Sequence, residues 1–378
     1  MRRTGFSIGG LALFACLAGC HKPVSGTAPG QTSANAAEDK VVNLYIWSDY
    51  LAPDTLSTFT RQTGIKVNVI YFDTFALPET RLLAGRTGFD VVIAAPPFFG
   101  RLIASGAFQS LDKKQLPNLV NLDPVLMAKI TNDDPGNAYG VIYAWGTNGL
   151  IYNERKIADA LPASAVKNWG LVFDPANAAR LAHCNINTVD TPAAVVPIAL
   201  SYLRRDVRNP TPQDLNDVAS LLQRMRPFIH NIDTGGLIEA MANGDACVAI
   251  DSNGDAFQAR RRAKEANNGV TINFVIPDEG SLIWFDLLAI PKDAPHVVNA
   301  HRLINYFMDP KVIADITNYI GVANANSPAT ALLDSSVKSD PIVYPPAESI
   351  ARLSPWPEYT PEQTRAITRM WQKFKTGQ

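Results

Sequence analysis

The sequence has little charge and no excess of either sign. Its 378 residues include 34 Lys or Arg and 35 Asp or Glu, a net charge of -1, and charged residues make up only 18% of the chain. Soluble proteins average roughly a quarter. A protein that holds nucleic acid needs a basic face for the phosphates, and long basic stretches are absent here. We therefore expect no nucleic acid partner.

The motifs of the common enzyme classes are also missing. Past residue 20 the sequence has no GxSxG nucleophile elbow, no P-loop, no HExxH zinc motif and no CxxC pair. Its five histidines do not fall at metal-ligand spacings. The sequence thus predicts a protein that is not an enzyme and that needs no cofactor or metal. An enzyme is the weakest of the alternatives.

Cysteine is scarce, and the four cysteines divide by position. Arg2 and Arg3 precede an apolar run too short to span a bilayer comfortably, which is the pattern of a secretory signal peptide. The run ends in Leu-Ala-Gly before Cys20, which resembles the lipobox of bacterial lipoproteins. We predict a signal peptide over residues 1–19, lipid on Cys20 and a flexible tether over residues 20–40. A simple signal peptide without lipid is the alternative.

Two cysteines remain in the exported part, Cys184 and Cys247. In an oxidising compartment such a pair can form a disulfide, and two free, buried thiols are the alternative. No second apolar run is long enough to cross a membrane. The chain after the tether exceeds what one hydrophobic core usually serves, so we expect two domains or lobes, joined to a membrane only through lipid.

From residue 41 onward, short apolar runs alternate with stretches of helical period. The runs VVNLYIW, IKVNVIYF and FDVVIAA suit strands, and the segments between them suit helices. This alternation predicts an α/β fold with a doubly wound sheet, and such sheets bind ligands beyond the carboxyl ends of their strands. Trp47, Ser48, Asp49 and Tyr50 come at the end of the first strand. We therefore expect these four side chains at a ligand crevice.

Carboxylates recur at or near such strands. Asp255 follows the apolar run CVAI, and Asp286 lies within the apolar run LIWFDLLAIP, close to Trp284. A buried carboxylate is costly unless a positive group meets it, and aromatic ring faces attract cations. We interpret these acids and rings as a pocket for an organic cation. A structural partner for Asp286, such as an arginine or a backbone cap, is the alternative.

The same residues carry a family resemblance. From about residue 43 to the C-terminus the chain resembles the periplasmic putrescine- and spermidine-binding proteins of ABC importers, most of all the putrescine-binding branch. The matching stretches follow one another in order: WSDYLAPDT, TGIKV, GFDVV, FQSLDKKQLPNLVNLDP, NGDACVAI, RAKEANNGV, FDLLAIPKDA, ANANSP and YPPAE. The resemblance implies a two-lobed, type II-like periplasmic-binding-protein fold whose chain crosses twice between lobes and whose cleft closes on the ligand. We expect residues 41–145 plus 281–318 in the N-terminal lobe and residues 146–280 plus 319–378 in the C-terminal lobe.

The resemblance also implies roles for individual residues. The family's first-lobe contacts match Trp47, Ser48, Asp49 and Tyr50, its amine-binding acids and a neighbouring ring match Asp255, Asp286 and Trp284, and its paired cysteines match Cys184 and Cys247. Other contact positions of the branch, a serine, an acidic pair, a stacking tryptophan and a tyrosine, correspond to Ala95, Ala193, Ala194, Ser252 and Val322. One carboxylate, Asp251, is gained, and we count it and Ser252 among the candidate ligand contacts.

The sequence thus predicts a monomeric, lipid-anchored periplasmic protein. It captures a putrescine-like diamine between its lobes and delivers it to an ABC permease of the inner membrane. The alternative is a receptor or sensor of the same fold for a different cationic solute, including a monovalent one, or for a peptide. With ordinary carboxylate pKa values, binding of a cation should weaken below about pH 4.

Overall fold

The computed structural model describes residues 38–72 and 76–377, without the side chains of 76–78 and of 96–97. The predicted signal peptide, the lipidated Cys20 and most of the predicted tether lie outside these residues. The described end of the tether contacts the fold. There, the carboxylate of Glu38 accepts hydrogen bonds from the backbone N–H groups of Val298 (2.9 Å) and Asn299 (3.0 Å).

Eleven strands form in the part of the chain that the structure describes. They are β1 (Val41–Trp47), β2 (Lys66–Phe72), β3 (Val91–Ala94), β4 (Phe108–Gln109), β5 (Gly140–Asn153), β6 (Ile186–Thr188), β7 (Ile229–Ile232), β8 (Val248–Ser252), β9 (Ile272–Val275), β10 (Ser281–Pro291) and β11 (Leu353–Pro355). The first three are the strands predicted from the opening apolar runs.

Sixteen α-helices form over the same residues. They are α1 (Thr55–Thr63), α2 (Ala76–Ala84), α3 (Pro96–Ala104), α4 (Pro124–Lys129), α5 (Glu154–Ala160), α6 (Gly170–Phe173), α7 (Pro175–Leu181), α8 (Pro192–Tyr202), α9 (Pro212–Met225), α10 (Leu237–Ala242), α11 (Asn253–Ala266), α12 (Val297–Phe307), α13 (Pro310–Ile320), α14 (Ser335–Lys338), α15 (Ala347–Ile350) and α16 (Pro361–Thr376). α1 shows how the sequence sets their ends: Gly64 follows it with φ of 71°, a left-handed conformation that glycine adopts without strain.

The strands join in one curled, mixed sheet. Its main path runs in the order β2, β1, β3, β10, β5, β8, β6, β7, while β4 and β11 pair with β10, and β9 pairs with β5. β1 is parallel to β2 and β3, whereas β10 is antiparallel to β3 and β5. The structure confirms the α/β class. It places the two long strands β5 and β10 side by side at the centre of the sheet.

Buried apolar side chains form two large clusters, and β5 and β10 run from one to the other. The first cluster draws on residues 42–145 and 283–343, and the second draws on residues 150–250, Leu282 and part of α16. β5 passes from the first cluster to the second after Trp145, and β10 returns after Leu282. A smaller third cluster lies under α10 and α11. The division of residue ranges between two lobes stays a prediction.

A disulfide joins Cys184 and Cys247, whose Cα atoms lie 5.4 Å apart. The pairing expected from the resemblance is therefore confirmed. Cys184 lies just before β6 and Cys247 just before β8, which are neighbouring parallel strands, so the bond ties their starts together. Over residues 38–72 and 76–377, no helix has both the length and the apolar surface that a membrane crossing requires.

Candidate functional site

Asp286 lies in the middle of β10, with only 3% of its surface exposed. β10 pairs there with β5, and the register shifts between Asp286 and Leu287 because β5 contributes one extra residue, Tyr143. A bulge of this kind bends a strand and re-aims the side chains beside it. The hydroxyl of Tyr143 donates a 2.5 Å hydrogen bond to the backbone oxygen of Tyr50. The extra residue therefore connects β5, the neighbour of the strand that carries Asp286, to the segment that follows β1.

Neutral donors hold the carboxyl group of Asp286. The side chains of Tyr50 and Trp47 donate hydrogen bonds to it. No lysine, arginine or histidine of the described residues forms an ion pair with it. Burial raises the pKa of Asp286 to about 7, and the hydrogen bonds from Tyr50 and Trp47 offset this only in part. Near neutral pH this carboxyl group is thus divided between its protonated and charged forms.

Two further carboxyl groups lie where β8 ends and α11 begins. Ser252 caps α11 by accepting a 3.2 Å hydrogen bond from the backbone N–H of Asp255, and Asp251 accepts one of 2.7 Å from the N–H of Ser252. The side chains of Asp251 and Asp255 hydrogen-bond to each other. Burial raises the pKa of both groups, and the nearby charge of Asp255 raises the pKa of Asp251 further. The helix cap therefore positions an acid pair.

Tyr50 lies between these acids and Asp286. Burial raises the pKa of its hydroxyl well above the usual value, and the negative charges of Asp286 and Asp255 add to this effect. Because the charges of Asp286 and Asp255 both act on the hydroxyl of Tyr50, the two carboxyl groups lie near the same side chain. These acids do not make a metal centre: in the described residues, no three His, Cys, Asp or Glu side chains are grouped to hold a metal ion.

Trp284 lies beside Asp286 on the same strand. Side chains alternate along a strand, so both residues face the same side of β10. The ring packs on Gly146 of β5, where an added Cβ would lie 2.3 Å from Cζ2 of the indole. The buried Nε1 of Trp284 has no hydrogen-bond acceptor among the residues described. Trp284 therefore places an aromatic ring and an unpaired N–H donor beside Asp286.

Asp49 differs from the other candidates because its side chain is 68% exposed. Its φ of 60° is uncommon for a residue other than glycine. Its Oδ2 lies 3.9 Å from Nη2 of Arg262 on α11, and Arg262 also pairs with Glu239 of α10. Ser48 is half-buried, and its backbone N–H bonds to the oxygen of Phe72 at 3.3 Å. The structure brings together the remaining acids and rings at Trp47, Tyr50, Asp251, Asp255, Trp284 and Asp286.

Other buried acids of the fold have partners of their own. Asp90 accepts a 2.6 Å hydrogen bond from the backbone N–H of His296, and its other oxygen lies 3.0 Å from the ring Nδ1 of the same residue. Asp134 accepts bonds from the backbone N–H groups of three consecutive residues. Asp340 pairs with Arg260. The acids of the candidate site differ from these structural carboxylates. Asp286 has only neutral donors, and one oxygen of Asp251 has no donor among the described residues.

Apart from Ser252, which caps α11, the positions that depart from the resembling branch are apolar and mostly buried. Val322 packs on the first turn of α11, since a Cβ added to Gly254 would lie 2.8 Å from its Cγ2. Ala95 and Ala194 are buried at the starts of α3 and α8, and Ala193 is half-buried. None of these side chains can neutralise a second positive charge.

Sequence reasoning missed two residues that shape the site. Tyr143 creates the bulge beside Asp286. Asn253 joins α11 to its surroundings: its Oδ1 accepts a 2.9 Å hydrogen bond from the N–H of Thr147, and its Nδ2 donates one of 2.7 Å to the oxygen of Ile342. Both act through the pairing of distant segments, so no local pattern in the sequence marks them.

A family model for bacterial extracellular solute-binding proteins matches residues 55–345, which include Asp251, Asp255 and Asp286. The chain belongs to this family. Among related solute-binding proteins, the putrescine-binding periplasmic protein SpuD of Pseudomonas aeruginosa strain UCBPP-PA14 is 40% identical over 345 residues, 91% of this chain and 94% of SpuD. The putrescine-binding periplasmic protein PotF of Escherichia coli K12 is 41% identical over 344 residues, 90% of this chain and 93% of PotF.

Solved structures of solute-binding proteins share the fold. A putative spermidine/putrescine ABC transporter protein from Listeria monocytogenes superposes with a TM-score of 0.79 at 27% identity, covering 90% of this chain and all of the other. The PotD substrate-binding protein of Streptococcus pneumoniae superposes with a TM-score of 0.75 at 25% identity, covering 90% and 99% of the two chains. The resemblance inferred from the sequence and the predicted fold class are both confirmed.

Proposed function

We propose that this solute-binding protein captures a polyamine of the size of putrescine in the periplasm and delivers it to an ABC permease. The observation that carries the proposal is the convergence of three carboxyl groups, those of the buried Asp251 and Asp286 and the half-buried Asp255, with no ion-paired cation among the described residues. Desolvated acids without a cation are costly, and a ligand cation relieves that cost. The names of SpuD and PotF support putrescine as the ligand.

In the proposed complex, one ammonium group of the ligand lies between Asp286 and Asp255 and donates hydrogen bonds to both. Tyr50 and Trp47 keep Asp286 oriented, because they already bond to its carboxyl group. The rings of Trp47 and Trp284 contact the ligand, and each cation–π contact contributes roughly 0.5–2 kcal/mol. Asp49 stays at the rim, where Arg262 is its partner. The protein thus contributes negative carboxylates and aromatic rings, and the ligand contributes the positive charge that pairs with them.

Isothermal titration of the soluble domain against putrescine, spermidine, cadaverine and agmatine tests the proposal. We expect saturable binding of at least one of these amines at one site per chain. If none of them binds while an unrelated, uncharged solute does, the proposal of a polyamine ligand is wrong. The same titrations identify which amine the site prefers.

A receptor for a monovalent amine is the second candidate. It is favoured by the apolar side chains of Ala193, Ala194 and Val322 at positions where the resembling branch has an acidic pair and a tyrosine. Putrescine and butylamine have the same carbon chain, and only putrescine carries a second charge. If the second ammonium still meets an acid, putrescine binds roughly tenfold or more tightly than butylamine, because a charge-assisted hydrogen bond contributes roughly 1.5–3 kcal/mol. Equal affinities would identify a receptor for monovalent amines.

We also propose export, lipid attachment at Cys20 and action as a monomer. Lipid on Cys20 would hold the protein at a membrane without a spanning helix. Export also suits the disulfide between Cys184 and Cys247, since disulfides persist in oxidising compartments. Cell fractionation of the Cys20→Ser variant tests the anchor. The variant should leave the membrane fraction for the soluble one, and a variant that stays with the membrane would contradict lipid attachment at this cysteine.

A further inference from the structure

Asp251 is buried, with 4% of its surface exposed. In the sheet it lies opposite Gly149 of β5, which brings no side chain. The ring of Phe274 fills the space over that glycine, since a Cβ there would lie 2.5 Å from its Cζ. On the other side, Asn187 of β6 pairs with Ala249 of β8. Residues two apart on a strand face the same side, so Asn187 and Asp251 lie on the same face of the sheet. The strands around Asp251 therefore bring it no charge.

The two carboxyl oxygens of Asp251 have different surroundings. Oδ1 accepts the hydrogen bond from the N–H of Ser252, whereas the buried Oδ2 receives no hydrogen bond from any donor of the described chain. Its side chain nevertheless hydrogen-bonds to that of Asp255. Two ionised carboxylates offer only acceptors, so a hydrogen bond between them requires a proton on one of them. One proton held by the pair therefore accounts for this hydrogen bond.

The charged groups around the pair act unequally on its two members. From α11, the positive charge of Arg262 lowers the pKa of Asp255, although Arg262 is shared with Asp49 and with Glu239 of α10. From the other side of the site, the charge of Asp255 reaches Tyr50, where the charge of Asp286 adds to it. Burial and the charge of Asp255 raise the pKa of Asp251 well above the usual value, and no basic side chain of the described residues forms an ion pair with it. In the ligand-free protein the shared proton therefore resides mainly on Asp251.

We propose that Asp251 is a positioning residue that shares one proton with Asp255, and that capture of a cation by Asp255 and Asp286 expels this proton. The step follows from the proposed function and deepens it. The ammonium group keeps its own protons and donates one hydrogen bond to Asp255, the O–H bond of the pair breaks, and the proton passes to solvent. The positive charge of the ligand then balances the charge that the pair gains. Asp251 thus sets how many protons the protein exchanges for a ligand without touching that ligand.

Titration calorimetry in buffers of different ionisation enthalpy measures the protons released when putrescine binds at pH 7. The Asp251→Asn variant keeps the shape of the side chain and provides a fixed donor to Asp255. We expect it to release about one proton fewer per putrescine than the unaltered protein. Asp278→Asn, which changes an exposed acid outside the site, should release as many protons as the unaltered protein. Equal proton release by the Asp251→Asn variant and the unaltered protein would overturn the proposal.

A second measurement tests the pair without any ligand. Because the folded-state pKa values of Asp251 and Asp255 are raised, their protonation stabilises the fold at low pH, and this stability is lost as the pH rises. The melting temperature of the unaltered protein should therefore fall more between pH 5 and pH 8 than that of the Asp251→Asn variant. Parallel melting curves would contradict proton sharing. If no amine binds but the melting curves clearly differ, the polyamine ligand is refuted while proton sharing between Asp251 and Asp255 is supported.

Discussion

Asp286→Asn is expected to lower the affinity for putrescine by roughly 30-fold or more. The asparagine has the same shape and keeps one oxygen that can accept a hydrogen bond from Tyr50 or Trp47, but it has no charge for the ammonium group. Removing one partner of a buried, hydrogen-bonded charge pair costs about 2–5 kcal/mol, which corresponds to a loss of affinity between roughly 30-fold and several thousand-fold. Asp286 is such a group, since it lies beside the bulge between β5 and β10 with only 3% of its surface exposed.

Isothermal titration of the variant, the unaltered protein and Asp278→Asn measures this effect. Asp278 is an exposed acid eight residues earlier in the chain, so its removal changes the net charge equally without altering the site. We expect that control to bind as the unaltered protein does. If Asp286→Asn also binds with unchanged affinity, the carboxyl group is structural, and the alternative left open by the sequence is correct.

The same substitution is expected to stabilise the ligand-free protein above neutral pH. An unfolded aspartate has a pKa of about 3.9, whereas burial raises that of Asp286 to about 7. Between these two values the unfolded chain binds fewer protons than the folded one, so stability falls as the pH rises. Three pKa units correspond to roughly 4 kcal/mol of unfolding free energy lost by pH 8. Asparagine does not ionise and escapes this loss.

Urea unfolding of the ligand-free variant and of the unaltered protein, at pH 4 and at pH 8, tests this second expectation. The advantage of the variant should be small at pH 4, because Asp286 is then protonated in the folded protein. It should grow by several kcal/mol at pH 8. A variant that is less stable at both pH values would show that the charge of Asp286 is satisfied by the fold itself. Loss of affinity with gain of stability is the pattern expected of a binding group.

Patterns that are local in the sequence predicted the first part of the fold. β1, β2 and β3 were predicted from apolar runs bounded by polar segments, and each strand lies within the predicted run. The acids at 255 and 286 were singled out because a carboxylate near or within an apolar strand needs a reason, and both are at the site. The pairing of Cys184 with Cys247 came from the resemblance and is confirmed.

Features that arise from long-range pairing were not predicted. β5 was missed because its residues are buried almost throughout and it contains three glycines, so neither strand alternation nor helical period appears. Two of these glycines are needed by distant rings: Gly146 admits Trp284 and Gly149 admits Phe274. The bulge at Tyr143 depends on the register between β5 and β10, which are far apart in the sequence. Such features depend on which segments meet.

The pH range expected for binding also changes once the structure is considered. The sequence alone gives ordinary carboxylates, and hence weakening below about pH 4. Burial raises the pKa of Asp286 to about 7 and raises those of Asp251 and Asp255 as well. As the pH is lowered, affinity for a cation should therefore begin to weaken well above pH 4. This shift is a property of the folded site, since the identity of a residue does not reveal how dry its surroundings are.

Affinity for putrescine measured from pH 5 to pH 8 tests the central claim most directly, which is that buried carboxyl groups without a cation of their own await a positively charged ligand. Amines of this kind keep their charge throughout the range, because their pKa lies near that of lysine, about 10.4. We predict that affinity rises with pH over this range, by up to about tenfold per pH unit for each proton released. A constant affinity from pH 5 to pH 8 would contradict the account.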